Sequence, residues 1–381
     1  MLTIYLNYKP YNILIFYSFF SVIYINNSSM SSKKQIKIGW IGSGFVGQVA
    51  HLNLYEDINN AKIVALSELR KKLGLKVQKK NFIKNFYSDY EKMLNSEDLD
   101  AVVLISHRNH TAFFAEKILK KKFNLFTEKP QAPTYSIAKK LVSIAQKNKL
   151  KYVSGLMRRH DDGIKFTKNK VNNLRKSGEF GKLIGAELYC FAGGDYCNIG
   201  NYQKTSEKRP TQQLCEKYPD WISKKIGKIY EEFVNIYIHD IDLINYFFGD
   251  EIKVDNVNYS SNKMSYVTMR SENIPILFKF RKLNSNHWAE GLSIIFEKGI
   301  VEVELKPAFL KNISSTVKIN KMSSGGLINE SSYHNFSFNW CFKNQHLDFI
   351  RSIKNKKYNP ISSCSKTLSS YILIDQIFKK I

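Results

Sequence analysis

The chain has 381 residues, of which 43% are hydrophobic and 24% charged, and this composition is typical of a folded globular protein rather than a disordered one. The length is sufficient for two domains. Its five cysteines include no C-x-x-C pair, which argues against a zinc or disulfide framework and favours a reducing compartment, so we predict a cytoplasmic protein without a metal site.

The net charge of +25 is the unusual feature of the composition. Such a charge is typical of proteins that bind nucleic acid or another anionic partner. The basic residues are scattered as short pairs, however, and the longer run Lys120–Lys122 falls near the end of a predicted helix, where cations are favoured. We therefore interpret the charge as solvated surface and predict no nucleic-acid partner. Attraction of an anionic substrate or cofactor is the remaining alternative.

The first 30 residues precede the first predicted strand, and residues 11–25 are strongly apolar and aromatic. This run is short for a membrane span, and no small-x-small cleavage site follows it. Because Met30 would be a natural start, we expect residues 1–32 to be an extension outside the fold. A membrane anchor is the alternative that we favour less.

A glycine loop follows the first predicted strand. The apolar run Ile36–Ile41 leads into Gly42-Ser43-Gly44-Phe45-Val46-Gly47, and residues 45–56 are predicted to form a helix. Strand, glycine turn and helix in this order match the dinucleotide-binding fingerprint. The glycines allow a tight turn and close approach of a pyrophosphate, and the helix N-terminus offers free N–H groups to its phosphates. We predict that residues 42–47 bind the cofactor, although a plain strand-turn-helix would show the same glycines.

An acidic residue closes the second predicted strand, residues 61–66. Glu68 lies about 20 residues after the glycine loop, where this fold places a carboxylate that binds the adenosine ribose. Because a carboxylate repels a 2′-phosphate, NAD is favoured over NADP. Arg70 would still accommodate a phosphate, and an exposed glutamate at the start of a helix is the structural alternative.

Short strands and helices then alternate. We predict strands at residues 100–105, 123–127 and 151–156, and helices at 89–94 (with Ser88 as N-cap), 111–122 and 133–149. This alternation indicates an α/β fold with a doubly wound parallel sheet over residues 33–156. Ligands of such sheets lie beyond the carboxyl ends of the strands, where the glycine loop, Glu68, Ser106–Asn109 and Glu128–Pro130 all fall.

The second half, residues 157–381, has an α+β pattern. We predict helices at 162–176, 229–248, 342–354 and 365–379, and strands at 181–191, 251–259, 266–270, 274–280, 291–296 and 300–305. The close spacing of the later strands predicts a largely antiparallel sheet. A long polar segment, residues 193–228, carries Asp195, Tyr202, Arg209 and Trp221 and either covers the substrate or is an ordinary surface excursion.

Three features together resemble the Gfo/Idh/MocA family of oxidoreductases: the glycine loop, Glu128-Lys129-Pro130 after a strand, and His239-Asp-Ile-Asp242 on a later helix. The family contains glucose–fructose oxidoreductase and inositol dehydrogenases, and the resemblance covers the chain from residue 34 onward. It implies a C-terminal domain whose open sheet covers the substrate on one face and often dimerises on the other. A homo-oligomer, dimer or tetramer, is therefore expected.

The resemblance also implies roles for two side chains. Oxidation of an alcohol releases the hydroxyl proton, so a base must lie within hydrogen-bond reach, and His239 matches the catalytic histidine of the family. Lys129 matches the lysine that contacts the reacting hydroxyl, where its charge would stabilise an alkoxide and burial would lower its pKa. Asp242 would share a helix face with His239 and orient it. Taken alone, a helical histidine is more often structural, and a surface lysine before a proline turn is the less favoured alternative for Lys129.

The chain departs from the family at two places. Asn235 stands four residues before His239, where many members have aspartate; it cannot exchange a proton, but it can bind a sugar hydroxyl. We therefore include Asn235 among the catalytic residues without expecting the inositol dehydrogenase relay unchanged. His107-Arg108-Asn109 replaces a common Thr-Pro-Asn. The predicted cofactor residues are completed by Ser106, Asn109, Glu128 and Lys129, and the predicted substrate residues are Arg159, Asn235, His239 and Asp242.

The resulting hypothesis is an NAD-dependent oxidoreductase that oxidises a ring hydroxyl of a sugar, sugar acid, nucleotide sugar or cyclic polyol. Two alternatives remain open at the level of sequence. One is a glycosidase that retains NAD and oxidises its substrate only transiently. The other is a dinucleotide-binding sensor without turnover.

Overall fold

The computed structural model describes residues 35–194, 200, 202–209, 215–322, 325 and 329–381. The predicted N-terminal extension, residues 1–32, and Asp195 lie outside these residues. Residues 35–381 form one compact unit by their contacts. No helix within the described residues is both long and apolar enough to cross a membrane.

Six parallel strands form the first sheet of the described chain, in the order β3-β2-β1-β4-β5-β6. Their bounds are β1 Ile36–Ile41, β2 Ala61–Ser67, β3 Asn85–Tyr87, β4 Ala101–Leu104, β5 Asn124–Thr127 and β6 Tyr152–Ser154. The central strands β1 and β4 are almost wholly buried, because helices cover both faces of the sheet. The predicted doubly wound parallel sheet is confirmed.

Four α-helices connect these strands: α1 Lys71–Lys80, α2 Tyr90–Ser96, α3 Arg108–Lys120 and α4 Tyr135–Lys147. The N-cap of α2 is Asp89, whose side chain accepts a hydrogen bond from the Glu91 N–H, so the prediction of Ser88 as the cap is wrong by one residue. Helix α1 was not predicted because a glycine interrupts it and its buried stripe is only Leu73, Gly74 and Val77.

The helix after the glycine loop is irregular. Residues Gly47–His51 form a π-helical turn, and Leu52–Glu56 continue as a 3₁₀-helix. Turns of the π type are rare and frequently occur at functional sites. The irregular geometry spans His51, whose buried side chain leaves the helix toward the end of β5.

Eight strands form the second sheet in the described residues, in the order β14-β13-β12-β11-β7-β10-β9-β8. The bounds are β7 Leu183–Ala192, β8 Ile252–Asn258, β9 Ser265–Ser271, β10 Ile274–Lys282, β11 Trp288–Phe296, β12 Gly299–Leu305, β13 Thr316–Met322 and β14 Asn329–His334. All neighbouring pairs are antiparallel except β7 with β10. The predicted largely antiparallel sheet is confirmed, with β13 and β14 in addition.

The helices of the second half join the two sheets. They are α5 Asp162–Ser177, α6 Lys224–Phe248, α7 Cys341–Lys354 and α8 Leu368–Phe378, with a 3₁₀ turn at Met157–His160. Near its C-terminus the chain returns to the first sheet. There Ser362 O accepts a hydrogen bond from Ser154 N, and Cys364 N donates one to Tyr152 O. Helix α7 buries Phe342 and Phe349 in the same apolar cluster as Trp40 of β1. A C-terminal helix therefore lies directly behind the glycine loop.

Candidate functional site

The glycine loop has the geometry of a dinucleotide cradle. Gly42 has φ +90°, and a Cβ there would lie 2.3 Å from the Ile105 carbonyl oxygen, so only glycine fits the turn. A Cβ on Gly47 would approach Gly42 O to 3.2 Å, whereas nothing lies within 4 Å of a Cβ on Gly44. The loop is thus tightly packed on the protein side and open at Gly44, as close approach of a pyrophosphate requires.

Glu68 lies against this loop at the carboxyl end of β2 and is buried. Its carboxylate accepts hydrogen bonds from the Ser43 N–H (2.9 Å), the Ser43 hydroxyl (3.0 Å) and the Arg70 Nε–H (2.9 Å). Burial alone would raise the pKa of Glu68, but the hydrogen bonds from Arg70 and Ser43 outweigh it and lower the pKa. The carboxylate is therefore charged and already neutralises the Arg70 guanidinium.

A segment of the second half, residues 202–209, folds onto the glycine loop. The Tyr202 ring packs edge-on against Phe45 at 5.0 Å, and Gln203 exchanges two hydrogen bonds with the Gln48 side chain. Glu207 accepts the backbone N–H groups of residues 72 and 73, in the first turn of α1, each at 2.9 Å. The long predicted loop thus contacts the cofactor half of the molecule.

Lys129 lies at the carboxyl end of β5, and its Nζ donates to the backbone carbonyl of Asn235 on α6 at 2.5 Å. Burial lowers the pKa of Lys129, while the negative charge of Glu128 raises it and the positive charge of Arg108 lowers it further. The long helix α6 thereby brings Asn235, and one turn later His239, to the edge of the first sheet. The structure joins the two predicted catalytic segments from opposite halves of the chain.

His239 is buried, and its Nδ1 has no hydrogen-bond partner among the described residues. Burial holds the pKa of His239 well below 6.5, and the positive charges of Lys129 and Arg158 lower it further. The imidazole is therefore neutral near pH 7 and can accept a proton. An unpartnered polar atom in a buried site is unusual and fits a group that is completed by a ligand.

Ser106 and Asn109 flank the start of α3, beyond the carboxyl end of β4. The Ser106 hydroxyl lies 3.0 Å from the Thr111 hydroxyl, and the Asn109 carbonyl accepts from the Cys215 thiol. Both residues are half-buried and lie at the same edge of the sheet as Lys129. A small cleft lined by Arg108, Asn109, Pro130, Pro133, Lys217, Glu231 and Val234 opens there.

Arg159 and Asp242 form a buried ion pair, which corrects the prediction that Asp242 orients His239. The Arg159 Nε and Nη2 donate to the two oxygens of Asp242 at 2.6 and 2.8 Å, and Ser370 donates to the same carboxylate. The guanidinium also packs over the Tyr246 ring at 5.1 Å. The two charged groups thus pair with each other, and the substrate role of Arg159 and Asp242 stays a prediction.

Sequence reasoning predicted Glu128 as a cofactor residue but missed the buried polar groups that continue from it: His51, His346 and Tyr55. Their atoms are linked by contacts of 3.0, 2.8 and 3.0 Å. It also missed a second buried ion pair, in which Arg158 donates to Glu290 at 3.0 Å, close to His239. The position of His51 on the glycine helix was the one available signal, since a buried helix face rarely carries a histidine.

Comparison with known proteins supports a dinucleotide site. The family model "Oxidoreductase family, NAD-binding Rossmann fold" matches residues 36–156. Inositol 2-dehydrogenase of Salmonella typhimurium is 23% identical over 244 residues, which are 64% of this chain and 63% of that protein. An inositol 2-dehydrogenase/D-chiro-inositol 3-dehydrogenase of Lacticaseibacillus casei is 32% identical over 157 residues, 40% of this chain and 42% of that protein. The matched part thus spans less than two thirds of these relatives.

Solved structures share the fold over most of both chains. A dehydrogenase from Chromobacterium violaceum superposes with a TM-score of 0.69 at 15% identity, covering 91% of this chain and 95% of that one. KijD10, a 3-ketoreductase from Actinomadura kijaniata solved with NADP and TDP-benzene, has a TM-score of 0.69 at 13% identity and covers 91% and 98%. At these identities the likeness establishes the fold.

Alanine substitutions at Gly42 and Gly44 distinguish the tightly packed side of the glycine loop from its open side. Gly42→Ala should lower the free energy of unfolding by about 2 kcal/mol or more, because φ is positive and the added Cβ meets Ile105 O. Gly44→Ala should leave stability within about 0.5 kcal/mol, because its Cβ points into open space. Urea denaturation measures both, and equal losses in the two variants would contradict this geometry.

Breaking the Arg159–Asp242 pair tests whether Asp242 serves mainly to neutralise Arg159. Asp242→Ala should destabilise the protein by about 3–5 kcal/mol, because the Arg159 guanidinium is left buried without its partner. Thermal unfolding would show the loss. A variant of unchanged stability with an impaired substrate KM would instead restore Asp242 to the substrate site.

Proposed function

Residues 36–156 are the NAD-binding Rossmann domain of the Gfo/Idh/MocA oxidoreductase family, and on that premise we propose that the protein is an enzyme that transfers hydride between a ring CH–OH group and a nicotinamide cofactor. The substrate class is a sugar, nucleotide sugar or cyclic polyol. One observation carries the proposal: Lys129 Nζ donates to the Asn235 carbonyl, one turn before His239, whose Nδ1 has no hydrogen-bond partner among the described residues. A cation and a neutral base thus lie together beside the carboxyl ends of the strands.

The residues present fit a dinucleotide. Gly42 and Gly47 close the turn, Gly44 leaves the space that a pyrophosphate needs, and Glu68 offers a charged acceptor for ribose hydroxyls. Ser106 and Asn109 lie beyond β4 at the same edge and would help to hold the cofactor. When bound, the nicotinamide supplies the acceptor for the hydride.

The chain supplies the proton chemistry. The neutral His239 imidazole takes the hydroxyl proton as the alcohol becomes a ketone, and in the reverse direction it returns that proton. The Lys129 ammonium donates a hydrogen bond to the same oxygen and stabilises its developing negative charge. Asn235 binds a neighbouring hydroxyl and orients the ring, since an amide can donate and accept hydrogen bonds but cannot take the proton.

Two carboxylates favour NAD over NADP. Glu68 neutralises Arg70, which would otherwise be free to bind a 2′-phosphate. Glu207 occupies the backbone N–H groups at the start of α1, which would otherwise be free to receive an anion. A 2′-phosphate near this corner would be repelled by the two carboxylates. The N–H groups that could bind it already donate hydrogen bonds to those carboxylates.

A second copy of this chain is the proposed partner. One face of the second sheet carries half-exposed Tyr189, Phe191 and Ile295 in an otherwise polar and charged setting. A half-exposed aromatic face of this kind fits association with an identical face across a two-fold axis.

Removal of the two catalytic side chains tests the mechanism. We expect Lys129→Ala and His239→Ala each to lower kcat/KM by about 10² to 10⁴-fold, because one removes the charge that stabilises the alkoxide and the other removes the base. A panel of sugars, nucleotide sugars and cyclic polyols followed by NADH absorbance identifies the substrate and then measures the loss.

His160→Gln is the matched control. His160 is also a buried histidine, and burial lowers its pKa to about 3, but its Nε2 contacts Ser362 away from Lys129. This variant should keep near-normal kcat/KM. Nearly unchanged turnover in Lys129→Ala and His239→Ala would refute the mechanism.

The cofactor preference is testable by direct binding. Glu207→Gln, and more strongly Glu68→Gln combined with Glu207→Gln, should tighten NADP relative to NAD by about tenfold for each charge removed. Titration of protein fluorescence with NAD and NADP gives both dissociation constants without a substrate. Asp220→Gln, an exposed carboxylate elsewhere in the long loop, is the control. A wild-type preference for NADP would contradict the assignment.

A further inference from the structure

The small cleft beyond the start of α3 adjoins the contact between Lys129 and Asn235. Its described lining includes Pro130, which follows Lys129 directly, and Val234, which precedes Asn235 on α6. The Lys129 Nζ donates to the Asn235 carbonyl between these two positions. We call this cleft the Arg108 cleft, after the arginine at the start of α3 that lines it. It lies beside the residues to which the proposed function assigns the reaction, and that function gives it no role.

Two cations line the Arg108 cleft without a counter-charge. Arg108 is half-buried, and its Nε is shielded from water and has no hydrogen-bond partner among the described residues. Neither Arg108 nor Lys217 forms an ion pair with a carboxylate in the part of the chain that the structure describes. Glu231 lines the same cleft but pairs with neither of them. A shielded donor without an acceptor is costly, and an anionic ligand in the cleft would remove that cost.

The electrostatic field around the cleft is positive. Burial lowers the pKa of His107, and the charges of four neighbours lower it further. These neighbours are Arg108, His110, Arg209 and Lys217. Burial also lowers the pKa of Lys129, and the charge of Arg108 adds to this effect against that of Glu128. Side chains from α3 and from the long loop therefore concentrate positive charge at one place, where an anion is attracted.

A local contact holds the long loop against α3 at this point. The Cys215 thiol donates to the Asn109 carbonyl at 2.9 Å, which fixes the chain two residues before Lys217 to the residue after Arg108. The two cations of the cleft thus come from different halves of the chain and are brought together by this contact.

Helix α6 sets the distance from the reaction centre to the cleft. Glu231, Asn235 and His239 follow one another at intervals of four residues and therefore share one face of α6. Each interval is about 6 Å along the helix axis. The cleft thus begins about one turn from Asn235 and two turns from His239. A sugar ring whose hydroxyl lies between Lys129 and His239 would extend along this face, so that a substituent on its far side reaches the cleft.

We propose that the Arg108 cleft binds an anionic group of the substrate, a carboxylate or a phosphate, on the side of the ring opposite to the reacting hydroxyl. Arg108 offers the planar fork of donors that matches such an anion in a bidentate manner, and Lys217 adds a second positive charge. Glu231 weakens the binding of the anion by repulsion. The inference rests on the proposed function and narrows its substrate class to a sugar acid or sugar phosphate, as opposed to a neutral sugar or polyol.

Calorimetric titration of the NADH-saturated protein measures binding at the substrate site without turnover. The probes are matched sets that keep one ring and change its charge: glucose, glucuronate and glucose 6-phosphate, the corresponding galactose and mannose compounds, and myo-inositol as a neutral polyol. In at least one set, a charged member should bind about tenfold or more tightly than the neutral sugar, because it gains a charge-assisted hydrogen bond. Comparison of the uronate with the phosphate identifies which anion the cleft accepts.

Variants of the cleft assign this preference to its residues. Arg108→Gln should weaken binding of the charged member about tenfold or more without changing that of the neutral sugar. Arg108→Lys should retain part of the affinity, because it keeps the charge and loses the fork. Glu231→Gln should tighten binding of the charged member several-fold, because a repelling carboxylate is removed. Lys117→Gln is the matched control: it removes one charge from the same helix, where Lys117 pairs with Glu91 on the surface, and should change nothing.

The outcomes separate this inference from the proposed function. Equal binding of charged and neutral members in every set, or binding of no charged member, would overturn the inference. A loss of NAD affinity in Arg108→Gln, measured by fluorescence titration, would also overturn it, because Arg108 would then meet the phosphates of the cofactor. Binding that depends on Arg108, without NADH formation when the same probes are supplied with NAD, would uphold the cleft and refute the proposed function. Equal NADH formation from a neutral polyol by wild type and Arg108→Gln would do the reverse.

Discussion

The site depends on a buried carboxylate at the end of β5. A buried carboxyl group is costly unless hydrogen-bond partners surround it. The Lys129 backbone N–H donates to Glu128, the His51 ring from the glycine helix contacts its other oxygen, and His346 on α7 contacts the second nitrogen of His51. These contacts connect the C-terminal helix α7 and the π turn at His51 to the end of β5. Three separate parts of the chain therefore meet at one buried carboxyl group.

Two buried arginines near α6 pair with carboxylates and not with His239. Arg159 is neutralised by Asp242, and Arg158 is neutralised by Glu290, which also accepts from the Trp288 indole. Buried pairs of this kind add little net stability but fix geometry, since breaking one strands the other charge. His239 Nδ1 has no hydrogen-bond partner in the described part of the chain, and burial lowers the pKa of His239, so that the imidazole is neutral.

Local patterns predicted the parts of the site that are local in sequence. The glycine spacing, the carboxylate after β2 and the strand-end Glu128-Lys129 are each encoded within a few residues, so the parallel sheet and its ligand edge followed from them. The partner of Asp242 lies 83 residues away and that of His51 lies 295 residues away, and no periodicity records such pairings. The helix spacing of His239 and Asp242 permitted a contact, but the buried guanidinium of Arg159 offered the stronger one.

Residues 202–209 also make long-range contacts that sequence patterns do not reveal, and these contacts concern the proposed cofactor site. Sequence reasoning about NAD against NADP looks only at the end of β2, where Glu68 and Arg70 stand. In the folded chain, Glu207 reaches the first turn of α1 from the other half of the molecule and binds the N–H groups that an incoming anion would use. A carboxylate at that corner repels a 2′-phosphate whether it belongs to the Rossmann domain or to a distant loop. The corner next to the end of β2 is therefore built by both halves of the chain, and the proposed preference for NAD rests on Glu207 as well as on the strand-end Glu68.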